Sequence, residues 1–177
     1  MTMSTSPIGA PLQSPAVPSP LRLRPEQALV LCVDVQERLS AAIPAEQLGR
    51  LRKNAAILLR GAAALGVPVL VSEQYKKGLG ETLPDLVAAL PAGTRQLEKL
   101  EFSAWAAAPL AQAILDSGRS QIVVFGMETH ICVFQTVRDL CHTGFTVHVP
   151  HDAVASRDPD NQRLGLVLAE RAGAVVT

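Results

Sequence analysis

The sequence predicts a three-layer α/β/α fold built on a central, mostly parallel sheet. Three observations predict it. Short, nearly continuous apolar runs such as "ALVLCVDV" (28–35), "PVLVS" (68–72) and "QIVVF" (121–125) read as strands buried on both faces. The longer segments between them carry apolar residues at steps of three and four, which is one stripe on a helix. The two patterns alternate along the chain, as right-handed crossovers between parallel strands require.

Each element follows in order. After the first strand, Leu48, Leu51, Ala55, Leu58, Ala62 and Leu65 form the stripe of a long helix. Gly66 ends that helix and Pro68 prevents its continuation. The second strand follows at 68–72. "EQYKKGLGETLP" reads as a loop punctuated by Gly78, Gly80 and Pro84, with a short helix around 83–89. The stretch 94–105 reads as a short strand to Leu97 and then a polar loop. A helix over 107–118 stops at Gly118. A strand at 121–125, a helix at 130–143 ended by Gly144, a strand at 145–149, a helix at 160–172 ended by Gly173 and a final strand "AVVT" complete the alternation.

Composition narrows the function classes. The chain has 177 residues, 48% hydrophobic and 18% charged, enough for one domain with a full core at 26–177. Residues 1–25 form a Pro/Ser-rich arm without the basic and apolar regions of a signal peptide. The formal net charge is zero, which gives no electrostatic reason to expect nucleic acid or a membrane surface as partner. No apolar run approaches the roughly 20 residues of a membrane span. Three cysteines without CxxC spacing suit a reducing, cytoplasmic compartment. The four histidines lack metal-site spacing, and no GxGxxG or GxxxxGK[ST] offers a phosphate cradle, so no metal or cofactor is expected.

In parallel α/β sheets ligands bind beyond the carboxyl ends of the strands. The polar residues there are Asp34, Ser72 and Glu73, Glu128 and Thr129, and Asp152. Asp34 emerges from "LVLCV" and must lie near the core, where an unpaired carboxylate is costly. Cys132 lies on the same edge, in "GMETHIC", in the first turn of the predicted helix. A lone buried cysteine usually acts as a small hydrophobe. At a helix N-terminus, however, the unpaired N–H groups favour a thiolate.

Three blocks carry a family resemblance over about residues 27–177: "LCVDVQERL", "EKLEFSAW" and "VFGMETHICVFQTVRDLCHTGFTVHVPHDAVASR". They resemble the isochorismatase-like cysteine hydrolases. "SEQYKKGLGETLP" with "GMETHICVFQT" resembles the isochorismatase domain-containing subgroup. The resemblance implies a Rossmann-like, isochorismatase-like hydrolase fold and a catalytic triad of Asp34, Lys99 and Cys132. It implies a cis peptide between Met127 and Glu128, and an oxyanion hole made of the backbone N–H groups of Glu128 and Cys132. The implied reaction is hydrolysis of a small-molecule C–N bond through a thioester. Asp34 is the general base and acid, and Lys99 favours the thiolate. Homo-oligomers, dimers or larger, are also implied. Glu73, Phe102, Trp105 and Thr129 are the candidates for substrate binding, Phe102 and Trp105 because few aromatics exist to line a pocket.

Where family nicotinamidases carry an Asp-x-His metal site, this chain has "SEQYKK" without histidine, which counts against a metal and against nicotinamide. The chain stops at "GAVVT", where relatives usually continue into a helix; a missing helix would leave apolar surface for a partner subunit to cover. Two rival functions stay open: vinyl-ether hydrolysis of the isochorismate type, which within this family does not need the cysteine, and catalytically silent binding of a small molecule or partner. Plainer roles are also open for single residues. "EKLE" alone reads as a solvated charge run, Glu73 as a loop cap, and Phe102 and Trp105 as packing. Asp152 and Arg157 read as an ion pair, His130 as a solvent-facing side chain, and Cys32 and Cys141 as structural.

Overall fold

The computed structural model describes residue 19 and residues 21–177, so most of the predicted arm lies outside the described residues. In chain order the elements are β1 (Ala28–Val33), α1 (Glu37–Ser40), α2 (Ala45–Leu65), β2 (Val69–Gln74), α3 (Lys76–Leu79), α4 (Pro84–Val87) and β3 (Arg95–Lys99). They continue with α5 (Ala108–Asp116), β4 (Gln121–Met127), α6 (Phe134–His142), β5 (Thr146–Val149), β6 (Val154–Ala155), α7 (Pro159–Arg171) and β7 (Val175–Val176). The sheet runs β3-β2-β1-β4-β5-β7, and every strand pairing is parallel.

β1 sits at the centre and all six of its residues are buried. Side chains alternate across a strand. Leu29, Leu31 and Val33 therefore enter one core with residues of α5, α6 and α7, while Ala28, Val30 and Cys32 enter the other with α2 and α4. This double-sided burial is why the strand reads as one apolar run. Each fully buried leucine contributes roughly 1.5–3 kcal/mol.

α2 ends at Gly66, whose φ of 65° supplies the left-handed turn predicted there. Its buried stripe is Leu51, Ala55, Leu59 and Ala62. Leu58 is only partly buried and Leu65 is exposed, because the C-terminal end of the helix flanks an open apolar groove rather than the sheet. Three further differences bear on the site. The predicted loop after β2 contains α3, β3 runs two residues beyond Leu97 to Lys99, and the short β6 pairs with β4 where β5 has ended. Among the described residues no helix is long and apolar enough to cross a membrane.

Candidate active site

The site forms where β1, β2, β3 and β4 end. Asp34 follows β1 with a φ of 53°, a left-handed conformation in which aspartate is among the better tolerated side chains. Its N–H donates to the carbonyl of Ser72 at 3.1 Å. Its Oδ1 accepts from the Ser72 hydroxyl at 2.7 Å, and its Oδ2 accepts from Lys99 Nζ at 2.7 Å. Lys99 comes from β3, two strands away, so its long stem crosses the end of β2 to reach Asp34. The same ammonium donates to Gln74 Oε1 at 2.6 Å and approaches the carbonyls of Glu101 and Phe102, each at 3.1 Å. Both side chains of this ion pair are wholly buried. Burying two charges costs several kcal/mol per ion, and only close pairing with further hydrogen bonds offsets that.

Cys132 does not open an α-helix. It lies in a π-helical turn, Thr129–Val133, that continues into α6. Such turns recur at functional sites. The thiol lies close enough to Asp34 and Lys99 for both charges to act on its ionisation. Its surroundings pull in both directions on the expected thiolate. Burial, then the negative charge of Asp34, push the thiol up to about 12, and the opposing pull of Lys99 is too weak to reverse this. Asp34 is itself pushed above the usual carboxylate range by burial, with Lys99, Ser72 and Cys132 pulling the other way. A carboxylate of raised basicity beside a thiol is suited to take its proton during attack on a substrate.

The turn is held from behind. The Met127–Glu128 peptide is cis. Gly126, with a φ of 130°, leaves no room for a side chain: a Cβ there would stand 2.0 Å from the carbonyl oxygen of Val33. The Glu128 carboxylate is buried against Arg157, which donates to it from its backbone N–H at 2.9 Å and from Nη2 at 2.7 Å. The predicted Asp152–Arg157 pair is thus replaced by Glu128–Arg157. Burial works to raise the Glu128 pKa, but the hydrogen bonds and charge of Arg157 outweigh it and the net direction is down.

A cleft of about 140 Å³ opens onto Cys132. Leu39, Leu79, Phe102 and Ile131 form its apolar walls; Gln74, Glu128 and Arg157 supply its polar ones. Two larger hollows, of about 470 and 480 Å³, contain none of Asp34, Lys99 or Cys132, so size alone does not mark this site. Among the described residues no cluster of His, Cys, Asp and Glu is arranged for a metal ion.

Residues 27–177, nearly all of the chain that the structure describes, match the model of the Isochorismatase domain family. The chain belongs to the isochorismatase domain family. Isochorismatase domain-containing protein 1 of Danio rerio is 38% identical over 157 residues, which are 88% of this chain and 53% of that protein. The chain thus spans about half the length of that curated relative. Isochorismatase domain-containing protein 2A of Mus musculus is 36% identical over 156 residues, 86% of this chain and 71% of that protein. Among solved structures, one described as MAR1 ribonuclease from Caenorhabditis elegans superposes with a TM-score of 0.82 at 33% identity, covering 88% of this chain and 79% of that one.

In this isochorismatase-domain chain the candidate residues divide in two. Asp34, Lys99 and Cys132 converge, and Phe102 lines the cleft beside them. Glu73, Thr129 and Trp105 lie off the cleft lining. Glu73 ties down the loop after β2: its Oε1 accepts from the backbone and hydroxyl of Thr82 at 2.8 and 2.9 Å, and its Oε2 pairs with Lys76 at 3.0 Å. Trp105 packs edge-on against Phe145 with ring centroids 5.4 Å apart, at the margin of the core. Thr129 is buried with no hydrogen-bond partner for its hydroxyl among the described residues. His130 is half-buried rather than solvent-facing, its Nδ1 3.0 Å from the Ser156 hydroxyl. Cys32 is buried in the sheet and Cys141 half-buried on α6. Gln74 escaped the sequence reading. It ends β2, lines the cleft and holds Lys99, and its place as the last polar residue of a strand was the available signal.

Proposed function

We propose that the chain is a cysteine hydrolase of a small-molecule C–N bond, an amide in the simplest case, with Cys132 as nucleophile, Asp34 as general base and acid, and Lys99 as the cation that holds Asp34 ionised. The observation that carries this reading is the buried ion pair of Asp34 with Lys99 at 2.7 Å beside Cys132, which itself opens onto the cleft.

The chemistry balances without a cofactor. Asp34 takes the thiol proton as Sγ bonds to the carbonyl carbon, and the carbonyl π electrons move to oxygen. The backbone N–H groups of Glu128 and Cys132 are the proposed donors to that oxyanion. Collapse breaks the C–N bond, Asp34 hands its proton to the departing nitrogen, and a thioester remains. Water then attacks the thioester carbon while Asp34 takes a proton. C–S cleavage gives the acid, and the proton returns to sulfur. A raised thiol pKa suits this sequence, because the thiolate need exist only when a substrate carbonyl is in place.

The test is ammonia release from a library of primary amides by the full chain, by Cys132→Ala and by Asp34→Asn. Turnover lost in both variants supports the reading. Turnover of a vinyl ether that survives Cys132→Ala would replace it, and absence of any turnover would favour the silent binding protein. The ribonuclease name belongs to the C. elegans protein. Here the net charge of zero and the 140 Å³ cleft support a small molecule, and a short RNA belongs in the library as a control. Homo-oligomerisation stays part of this reading; Leu23, Ile57 and Leu65 leave apolar surface beside α2, and light scattering tests it.

A further inference from the structure

Every charge that lines the cleft is already spent on another protein charge. The charged residues in its wall are Glu128 and Arg157, and they pair with each other. Arg157 commits its backbone N–H, Nε and Nη2 to the Glu128 carboxylate. An incoming carboxylate would have to share that guanidinium with Glu128 and accept the repulsion of a second negative charge. An incoming ammonium would meet a carboxylate whose oxygens are both engaged. Behind the wall, Asp34 and Lys99 neutralise each other as well.

Apart from Cys132 and Gln74, whose amide is engaged by Lys99 and the carbonyl of Leu100, the remaining surface is apolar. Leu39, Leu79, Phe102 and Ile131 face a space of about 140 Å³. Drug-sized ligands occupy pockets of about 300–1,000 Å³. A charged group brought into this cleft without a partner loses its hydration and gains little in return.

We propose, resting on the amidase reading above, that the site selects primary amides with short, uncharged, aliphatic acyl groups, and that Leu79 and Phe102 set the length it accepts. Leu79 comes from α3, the short helix of the loop after β2, and Phe102 from the loop after β3. Phe102 is 55% exposed, so it stands at the mouth, where trimming it lengthens the space. The reaction is hydrolysis: the acyl carbon exchanges nitrogen for the oxygen of water, giving a short-chain acid and ammonia.

The experiment measures kcat/KM of the full chain on isobutyramide, succinamate, β-alaninamide and hexanamide, with Leu79→Ala and Phe102→Ala in parallel. Isobutyramide is expected to exceed both charged amides by more than about tenfold, and each alanine variant to raise the hexanamide-to-isobutyramide ratio by about tenfold, the scale at which pockets discriminate single methylenes. A ratio is read, so a general loss of activity in a variant does not obscure it. Succinamate or β-alaninamide leading the series, with turnover still dependent on Cys132, overturns this inference and leaves the amidase reading standing. Ratios unmoved in both variants overturn the role of Leu79 and Phe102. No turnover of any amide overturns the amidase reading and this inference with it.

Discussion

Arg157 holds the buried carboxylate of Glu128 with three nitrogens: its backbone N–H at 2.9 Å, Nη2 at 2.7 Å, and Nε at 3.1 Å from both oxygens. The carbonyl of the same Glu128 accepts from the N–H groups of Ile131 and Val133 at 3.0 and 3.3 Å, on either side of Cys132. Glu128 is therefore fixed at its side chain and at its carbonyl, and the turn that carries the thiol is built around it.

Releasing that grip is expected to cost rate more than binding. Arg157→Gln leaves Glu128 one backbone donor and should lower kcat on an amide by about tenfold or more with little change in KM, the signature of misplaced transition-state donors. The exposed guanidinium limits the stability loss to about 1–3 kcal/mol. Arg157→Lys should recover part of the rate. A variant that lowers stability but leaves kcat unchanged would make the pair purely structural. Steady-state kinetics with a thermal melt on each variant decides between them.

The same pair sets an acid limit. Glu128 and Glu73 both titrate below their ordinary value of 4.5 in the folded chain, burial opposing and hydrogen bonds with neighbouring cations prevailing. A depressed folded pKa adds stability that is fully present above the unfolded value and is lost as pH falls through the folded one. Asp34, raised above 3.8, acts with the opposite sign and costs stability as pH rises through that window. Melting temperature is expected to fall as pH drops below about 4.5. The fall should be shallower in Glu128→Gln and in Glu73→Gln; an equally steep fall in both variants would assign it elsewhere.

The thiol gives a crossed prediction. With Cys132 pushed up to about 12, its alkylation by iodoacetamide should be slow at neutral pH and still climbing beyond pH 10, where an ordinary thiol near 8.5 has levelled off. Asp34→Asn removes a charge that raises the thiol pKa, so alkylation near neutral pH should quicken. The same substitution removes the proposed general base and should cut amide turnover by about 10²–10⁴-fold. Mass spectrometry resolves Cys132 from Cys32 and Cys141. Slower alkylation in Asp34→Asn would contradict the arrangement of charges.

Much of this was legible beforehand, and the exceptions share a cause. β1 was readable because burial on both faces writes an unbroken apolar run, and Asp34 because a carboxylate at the end of such a run needs partners. The helix stop at Gly66 was readable because one backbone conformation favours one residue. The π-helical turn was not, since a shift in backbone hydrogen-bond register leaves no side-chain pattern. The upward push on the Cys132 thiol was not either: Lys99 and a helix start argue for thiolate, while the depth of burial and the approach of Asp34 exist only in three dimensions. No sequence pattern ties Arg157 to Glu128, which lies 29 residues away, whereas Asp152 is near it in the chain.

The buried ion pair should tolerate a double substitution better than the loss of Lys99 alone. Lys99→Met strands the Asp34 carboxylate in a wholly buried position and is expected to cost about 3–5 kcal/mol, the range for breaking a buried pair from one side. Asp34→Asn with Lys99→Met removes both charges, and should be more stable than Lys99→Met alone while remaining inactive. Denaturant unfolding of the two single variants and the double variant gives the coupling directly. A double variant no more stable than Lys99→Met would mean that Lys99 acts mainly through Gln74 and the carbonyls of Glu101 and Phe102.

Gly165 offers a test of how far the turn that carries Cys132 depends on its backing. It lies on α7, and a Cβ there would come within 2.8 Å of the backbone of Thr129 and His130, too close without movement of one element. No positive φ is involved, so Gly165→Ala imposes only this contact. Alanine also favours the helix by roughly 1 kcal/mol over glycine, which works against any destabilisation. Overpacking of this kind costs about 1–3 kcal/mol. The net change in stability should therefore be small, while kcat falls because the displaced backbone is the one that leads into Cys132. A melting temperature within a few degrees of wild type together with a clear loss of kcat is the expected pair of readings. Unchanged kcat at unchanged stability would show that α7 yields and the turn does not, placing the rigidity of the site in Glu128 and Arg157.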